Sequence, residues 1–267
     1  MAGSIRAGIG GWTYPPWRGV FYPQGLRQAD ELAYASARLG AIEINATYHS
    51  LQKPESFAKW AAATPENFIF TVKASRVCTN RRVLGDAGEA MERFFGQGIE
   101  KLGARLGPIL WQFMATKRYD RADFAAFLSL LPAKLGGLTL RHCVEVRNAS
   151  FADPDFVGLC RERGVAICLS ESPDYPMIGD VTADFAYARL MKGADDIETG
   201  YAPADLDAWA RRFEAYAAGG VPLDPRPVDA THAPARVKRD VFAFFISAGK
   251  LRAPAAAMAL AHRLSGP

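Results

Sequence analysis

Five short runs place charged or amide side chains in strict alternation with apolar ones. In Ile42-Glu43-Ile44-Asn45 an extended chain puts the isoleucines on one side and Glu43 with Asn45 on the other, because successive side chains point to opposite faces. Val144-Glu145-Val146-Arg147 repeats the pattern. Phe70 and Val72 alternate with Thr71 and Lys73, Trp111 and Phe113 flank Gln112, and Arg189 is out of phase with Ala188 and Leu190. Glu43 and Glu145 are candidates for a general acid and base, provided that their surroundings set their proton affinities apart. Lys73 can serve as a phosphate contact, a base or a Schiff-base amine, and the neighbouring residue types do not separate these roles. Asn45, Gln112, Arg147 and Arg189, with Lys192 beyond them, are the candidate ligand contacts. Arg and Lys suit phosphate or carboxylate recognition.

These residues must be brought together by the elements that carry them. β-rich runs occur at residues 5–10, 41–45, 68–73, 109–113, 143–147, 165–170, 185–191 and 241–247, and helical spacing fills the gaps. Strand and helix in alternation give either a closed barrel or an open doubly wound sheet. Eight strands favour closure, so the expected architecture is a single TIM-like (β/α)8 barrel over residues 1–267. Its polar strand ends would then converge at the carboxyl mouth. Isolated buried charge is costly, and two readings follow. Glu43, Glu145, Lys73, Arg147 and Arg189 neutralise one another as an internal network, or they line a ligand site, which barrel enzymes place at this face.

Among the helices, Asp86 is expected to cap a segment carrying Met91, Phe94, Phe95, Ile99 and Leu102. Asp120 and Asp153 are caps, and Pro54, Pro154 and Pro254 are first helical positions. Leu206, Trp209, Phe213 and Tyr216 form an apolar stripe that reads as core packing. The Pro-rich stretch 219–239, between the seventh and eighth strands, is too long for an ordinary connector; it reads as a functional rim loop or a mobile insertion. After the first strand, Gly10-Gly11-Trp12-Thr13-Tyr14-Pro15-Pro16-Trp17 supplies aromatics, and Trp12 and Tyr14 either stack on a ligand or pack across the barrel. Ser170-Glu171-Ser172 either hydrogen-bonds a ligand or ends a strand.

Composition removes several classes. With 49% hydrophobic and 22% charged residues the chain is globular. No apolar run spans a bilayer and residues 1–10 lack a signal-peptide core, so a cytoplasmic protein without a membrane partner is expected. The four Cys form no C-x-x-C pair and read as buried thiols, except Cys78, which lies among Arg76, Arg81 and Arg82, where cations would lower its pKa. The four His form no i, i+4 pair, and no zinc set is expected; Mg²⁺ would have to use Glu43 and Glu145. Gly-Gly without a Lys-Ser/Thr or G-x-G-x-x-G frame is no nucleotide fingerprint, and no G-x-S-x-G elbow occurs.

The opening Gly-Gly-Trp-Thr-Tyr-Pro-Pro-Trp-Arg-Gly-Val-Phe-Tyr-Pro resembles the signature of the YecE-like family, domain of unknown function 72. So do Ile42 to Tyr48, Phe70 to Lys73, Leu106 to Gln112 and Val144 to Arg147, in the family's order. The resemblance implies a TIM-like barrel and carries no reaction, since the family's activity is not established. The chain departs from the family pattern in two places. Arg189-Leu190-Met191-Lys192-Gly193 stands where the family has Arg, an apolar residue, His and Gly, and Phe245-Ile246-Ser247 stands where it has an aromatic and an Asn-rich end.

The leading functional expectation is an enzyme, a hydrolase, lyase or isomerase, acting on a small anionic ligand that is phosphorylated or sugar-like. A second reading is a nucleic-acid or repair protein using the basic residues 76–82, Lys117-Arg118 and the aromatic first loop; the modest net charge of +4 weighs against it. A third is a non-catalytic barrel that binds a metabolite.

Overall fold

Buried strands whose polar residues share one face are satisfied when the sheet closes on itself inside a layer of helices, with the polar face toward the axis. The computed structural model describes residues 3–222, 224–232 and 234–265. Its barrel strands are β1 (Ile5–Gly10), β2 (Ala41–Ile44), β3 (Ile69–Lys73), β4 (Leu106–Gln112), β5 (His142–Glu145), β6 (Ala166–Glu171), β7 (Phe185–Lys192) and β8 (Asp240–Ala248). Each pairs in parallel with the next, and β8 pairs with β1, Ile9 opposite Phe245, so the barrel is closed. An open sheet is thereby excluded.

The two faces sort as the alternation requires. Ala41, Leu110, Cys143, Cys168, Tyr187 and Phe244 fill the barrel interior. Ile42, Ile44, Phe70, Val72, Trp111 and Val144 point out and join the helices in the larger core. Asp120 and Asp153 cap their helices by accepting the Asp123 and Asp155 amides at 2.9 and 2.8 Å. Pro54 and Pro154 open helices Pro54–Ala62 and Pro154–Glu162. In helix Pro203–Ala217 the stripe of Leu206, Trp209, Phe213 and Tyr216 is buried.

Four expectations need correction. Asp86 is not a cap: it lies inside a 3₁₀ turn, Leu84–Ala87, and the helix after it is Gly88–Phe95. The apolar run from Met91 to Leu102 is interrupted after Phe95 and resumes in a 3₁₀ segment, Ile99–Arg105. Cys78 is not activated. It sits in a short helix, Arg76–Thr79, fully buried, and burial pushes its thiol up to about 12 against the weaker opposing effect of Arg81.

The stretch 219–239 follows helix Pro203–Ala217 and leads into the amino end of β8, so it lies at the end of the barrel away from the mouth and is no rim loop. Asp180 accepts the Val228 and Asp229 amides there at 2.7 and 2.9 Å, and Arg161 pairs with Asp229 at 2.9 Å. Residues 223 and 233 of this stretch lie outside the described residues.

Finally, the β6–β7 connection, residues 172–184, contains no helix. Ile178 and Val181 are buried there beside Phe213 and Tyr216, and the Tyr216 hydroxyl donates to the Gly179 carbonyl at 2.9 Å. An irregular strap thus does the covering that a helix does elsewhere. Among the described residues no helix is long and apolar enough to cross a membrane.

Candidate functional site

The carboxyl ends of β2, β3, β4, β5 and β7 bring six of the predicted residues into one cluster. Glu43 and Glu145 are fully buried, Arg189 is 4% exposed, and Lys73 and Gln112 are 8% exposed. Arg189 lies between the two acids. Its Nη1 donates to Glu145 Oε2 at 2.5 Å and to Gln112 Oε1 at 3.2 Å, and its Nη2 donates to Glu43 Oε1 at 3.0 Å. Arg147 donates from Nε to Glu145 Oε1 at 2.7 Å, from Nη2 to Gln112 Oε1 at 2.9 Å and from Nη1 to the Tyr175 hydroxyl at 3.3 Å. The last oxygen, Glu43 Oε2, accepts the Tyr187 hydroxyl at 2.7 Å. Tyr187 has one proton and spends it on Glu43, so Thr71, 3.0 Å away, donates to the phenol oxygen.

All four carboxylate oxygens are therefore engaged by donors. Burial alone would raise the Glu145 carboxyl, but Arg189, Arg147 and Lys73 outweigh it and hold it below the ordinary value. That is the opposite of what a general acid requires, since a general acid must keep its proton near neutral pH. Burial drives the Tyr187 phenol well above its usual range, and the Glu43 charge adds to the shift, so the phenol stays protonated and donating.

Lys73 differs from the rest. Its backbone carbonyl accepts the Thr47 hydroxyl at 2.7 Å, which ties down the short helix Ala46–His49. Tyr48 on that helix lays its ring 4.1 Å from Nζ, a cation–π contact. Among the described residues Nζ has no hydrogen-bond acceptor, and it is not one of the occluded polar atoms, so its free side meets solvent. Burial, with help from the Arg189 charge, brings the ammonium from 10.5 down to about 8, against the opposing pull of Glu43 and Glu145.

Beside the cluster a cavity of about 210 Å³ is lined by Gly10, Asn45, Arg189, Ile246, Ser247 and Lys250, among others. Gly10 makes room for it: a Cβ there would lie 2.9 Å from both Asn45 Nδ2 and Ile246 Cγ2. At the far wall β8 shifts register between Phe245 and Ala248, and Ser247 takes a left-handed φ of 65°. Two residues beyond Ser247, Gly249 packs against the end of the β7 departure: a Cβ there would come within 2.4 Å of the Gly193 carbonyl carbon.

Other predicted residues stand outside the cluster. Lys192 is the third residue after Arg189 on β7, so it points to the opposite face, and it is exposed. Trp12 packs its ring 5.2 Å from Trp60 and 6.2 Å from Phe70, outside the barrel wall. Tyr14 packs on Trp17 at 5.2 Å, and Lys250 Nζ lies over the Tyr14 ring, 4.4 Å from its centre. Glu171 faces out and is sealed by Tyr201, Trp209 and the Lys192 amide, so it ends a strand. His142 accepts from Trp111 at 3.2 Å and pairs with the Pro132 carbonyl at 2.8 Å, a structural role. Among the described residues no three His, Cys, Asp or Glu side chains are grouped to hold a metal ion. Tyr187 and Tyr175 join the cluster without standing in any of the motifs above, and Tyr48 stands there only as the last residue of the Ile42 to Tyr48 motif. Tyr187 was within reach of the same alternation, two residues before Arg189.

The fold and the sequence both have relatives. A family model described as a protein of unknown function, DUF72, matches residues 6–267. The UPF0759 protein YecE of Escherichia coli K12 is 25% identical over 142 residues, covering 52% of this chain and 48% of YecE. The UPF0759 protein YunF of Bacillus subtilis is 25% identical over 158 residues, covering 57% of this chain and 54% of YunF. The chain thus spans about half the length of the relatives it matches. The crystal structure of a DUF72 family protein from Thermotoga maritima superposes with a TM-score of 0.69 at 22% identity, over 97% of each chain. One from Enterococcus faecalis gives 0.67 at 16% identity over 99% of each, a likeness of fold. With the family model matched over nearly the whole barrel, this chain belongs to the DUF72 family of proteins of unknown function.

Proposed function

We propose that this protein is an enzyme that acts on a small anionic ligand, phosphorylated or sugar-like, at the carboxyl mouth of its barrel. The observation that carries the reading is the charge left over in the cluster. Glu43 and Glu145 are balanced by Arg147 and Arg189, and among the described residues Lys73 remains as a cation without a carboxylate of its own. A buried site with one excess positive charge attracts an anion, and a low local dielectric strengthens the attraction. Arg147, with a side chain 20% exposed, and Lys250 at the cavity rim supply further cationic contacts. An amine whose proton affinity lies near neutral pH favours catalysis over passive binding. In this reading Glu43 and Glu145 are the charged frame that positions Arg189 and Arg147, and Lys73 is the reacting group.

The nucleic-acid reading has less support. Lys117 is committed to Asp123 at 2.5 Å, and Arg81 donates to the Val77 and Asp86 carbonyls.

The test is a thermal-shift titration at constant ionic strength with inorganic phosphate, sugar phosphates and small carboxylates, on the parent and on Lys73→Gln. Binding to the native state raises the melting temperature by mass action. A rise with one anion class in the parent and none in a folded Lys73→Gln is the expected result. No rise with any anion overturns the reading.

A further inference from the structure

Lys73 has three features that seldom occur together. It is almost wholly buried, its Nζ has no hydrogen-bond acceptor among the described residues, and that nitrogen still meets solvent at the mouth. A lysine kept only for charge balance would be expected to close on one of the nearby carboxylates, yet Glu43 and Glu145 have all their oxygens turned to Arg189, Arg147 and Tyr187. The network thus withholds its acceptors from Lys73. Among the described residues its close partner is the Tyr48 ring, which offers no proton acceptor of hydrogen-bond strength.

Resting on the anionic-ligand reading above, we infer that Lys73 Nζ is a nucleophile that forms an imine with the carbonyl carbon of a small anionic aldehyde or ketone, such as a 2-oxo acid. The neutral amine adds to the carbonyl carbon, and the nitrogen gives up a proton as the carbonyl oxygen gains one, leaving a carbinolamine. Loss of that hydroxyl as water, with the second nitrogen proton, leaves the carbon–nitrogen double bond. No oxidant, reductant or co-reactant is consumed.

Two further observations suit this step. The lowered proton affinity of Lys73 leaves a useful fraction of neutral amine at physiological pH, as nucleophilic lysines require. Once the imine is protonated, its charge sits where the ammonium sat, under the same field of Glu43 and Glu145, so the network that tolerates the lysine also stabilises the iminium. The substrate's own anionic group would meet Arg147 or Lys250.

The experiment uses the whole chain, glyoxylate as the anionic aldehyde and sodium cyanoborohydride to trap the imine, with peptide mass spectrometry to locate the adduct. Lys59 and Lys134, both exposed, are internal references. At pH 7 Lys73 is expected to be labelled on the order of tenfold or more faster than either, because far more of it is neutral. Phosphate should slow the labelling of Lys73 and not that of the references. Labelling of Lys73 no faster than the references overturns the proposal. If phosphate still raises the melting temperature in that case, the anion site survives without imine chemistry; if it does not, both readings fall. Propanal, a neutral aldehyde, labelling Lys73 as fast as glyoxylate overturns the assignment to an anionic carbonyl. Lys73→Arg keeps the charge and should keep the phosphate shift, while the selective adduct disappears and does not move to another lysine.

Discussion

Tyr187 on β7 holds its hydroxyl 2.7 Å from Oε2 of Glu43 on β2, across the interior of the barrel. The contact is buried on all sides, and it fills the one Glu43 oxygen that Arg189 does not reach. A phenol in such a place acts as a fixed donor, and Thr71 behind it holds the proton in the right direction.

Tyr187→Phe removes that donor and leaves both Glu43 Oε2 and the Thr71 hydroxyl short of a partner. A loss of about 1–3 kcal/mol in unfolding free energy is expected from urea titration, the usual cost of an unsatisfied buried polar group. A neutral result would mean that water enters the barrel to replace the phenol.

Arg189 bridges two acids, so its removal should cost more than that of either partner. Arg189→Met leaves Glu43 and Glu145 without their central cation, and a loss of about 3–5 kcal/mol is expected. Adding Glu145→Gln should recover part of it, because one uncompensated charge is removed. A double-mutant cycle by chemical denaturation measures the coupling, and additive losses would show that the 2.5 Å contact between Arg189 and Glu145 carries little energy.

Lys73 makes stability depend on alkaline pH. Its folded value of about 8 lies below the ordinary 10.5, so from about pH 8 to 10.5 the unfolded chain binds a proton that the folded chain has released. Stability attributable to Lys73 therefore rises with pH through that window, by at most about 1.4 kcal/mol per pH unit. Below pH 8 both states are protonated and the contribution is level, at the full cost of a buried ammonium. The difference in stability between the parent and Lys73→Met, followed from pH 6 to 10.5, should be level and then climb. A difference that stays level throughout would place the Lys73 ammonium in water.

Gly10 tests the cavity without touching a charge. In Gly10→Ala the new methyl meets Asn45 and Ile246 at 2.9 Å, and both must yield. A loss of about 1–3 kcal/mol is expected from overpacking, together with loss of any anion-induced thermal shift that depends on this cavity. An unchanged shift in a stable Gly10→Ala would confine the ligand to the Lys73 and Arg147 side and leave this cavity out of the site.

The barrel and the polar face of its strands are legible in the sequence because a barrel strand is buried on both sides. Any polar residue inside a run such as Ile42-Glu43-Ile44 then reveals which side faces the axis. The partners are not legible, since alternation states which face a side chain occupies and nothing about which strand it meets. Glu43 and Arg189 lie 146 positions apart and join only through the closed topology. Lys192 shows the rule applied too loosely: an odd step from Arg189 already turns it away from the axis. The helix start assigned to Asp86 failed because a 3₁₀ turn presents the same polar-then-apolar order as a capped α-helix. The strap at residues 172–184 has no periodic signal of its own; its Ile178 and Val181 do a helix's covering from an irregular backbone.

The bridge from Glu43 through Arg189 to Glu145 also bears on how the chain reaches its native state. Its members come from β2, β5 and β7, so no contiguous half of the molecule contains a complete set. A nascent chain that has made only β1 to β6 holds two acids and lacks the arginine that joins them, and burying those acids at that stage would be strongly unfavourable. Partial barrels are thereby penalised and the finished one is rewarded in a single step. The charged layer at the mouth thus adds its stabilisation only once β2, β5 and β7 are all in place, which is to say only to the closed barrel.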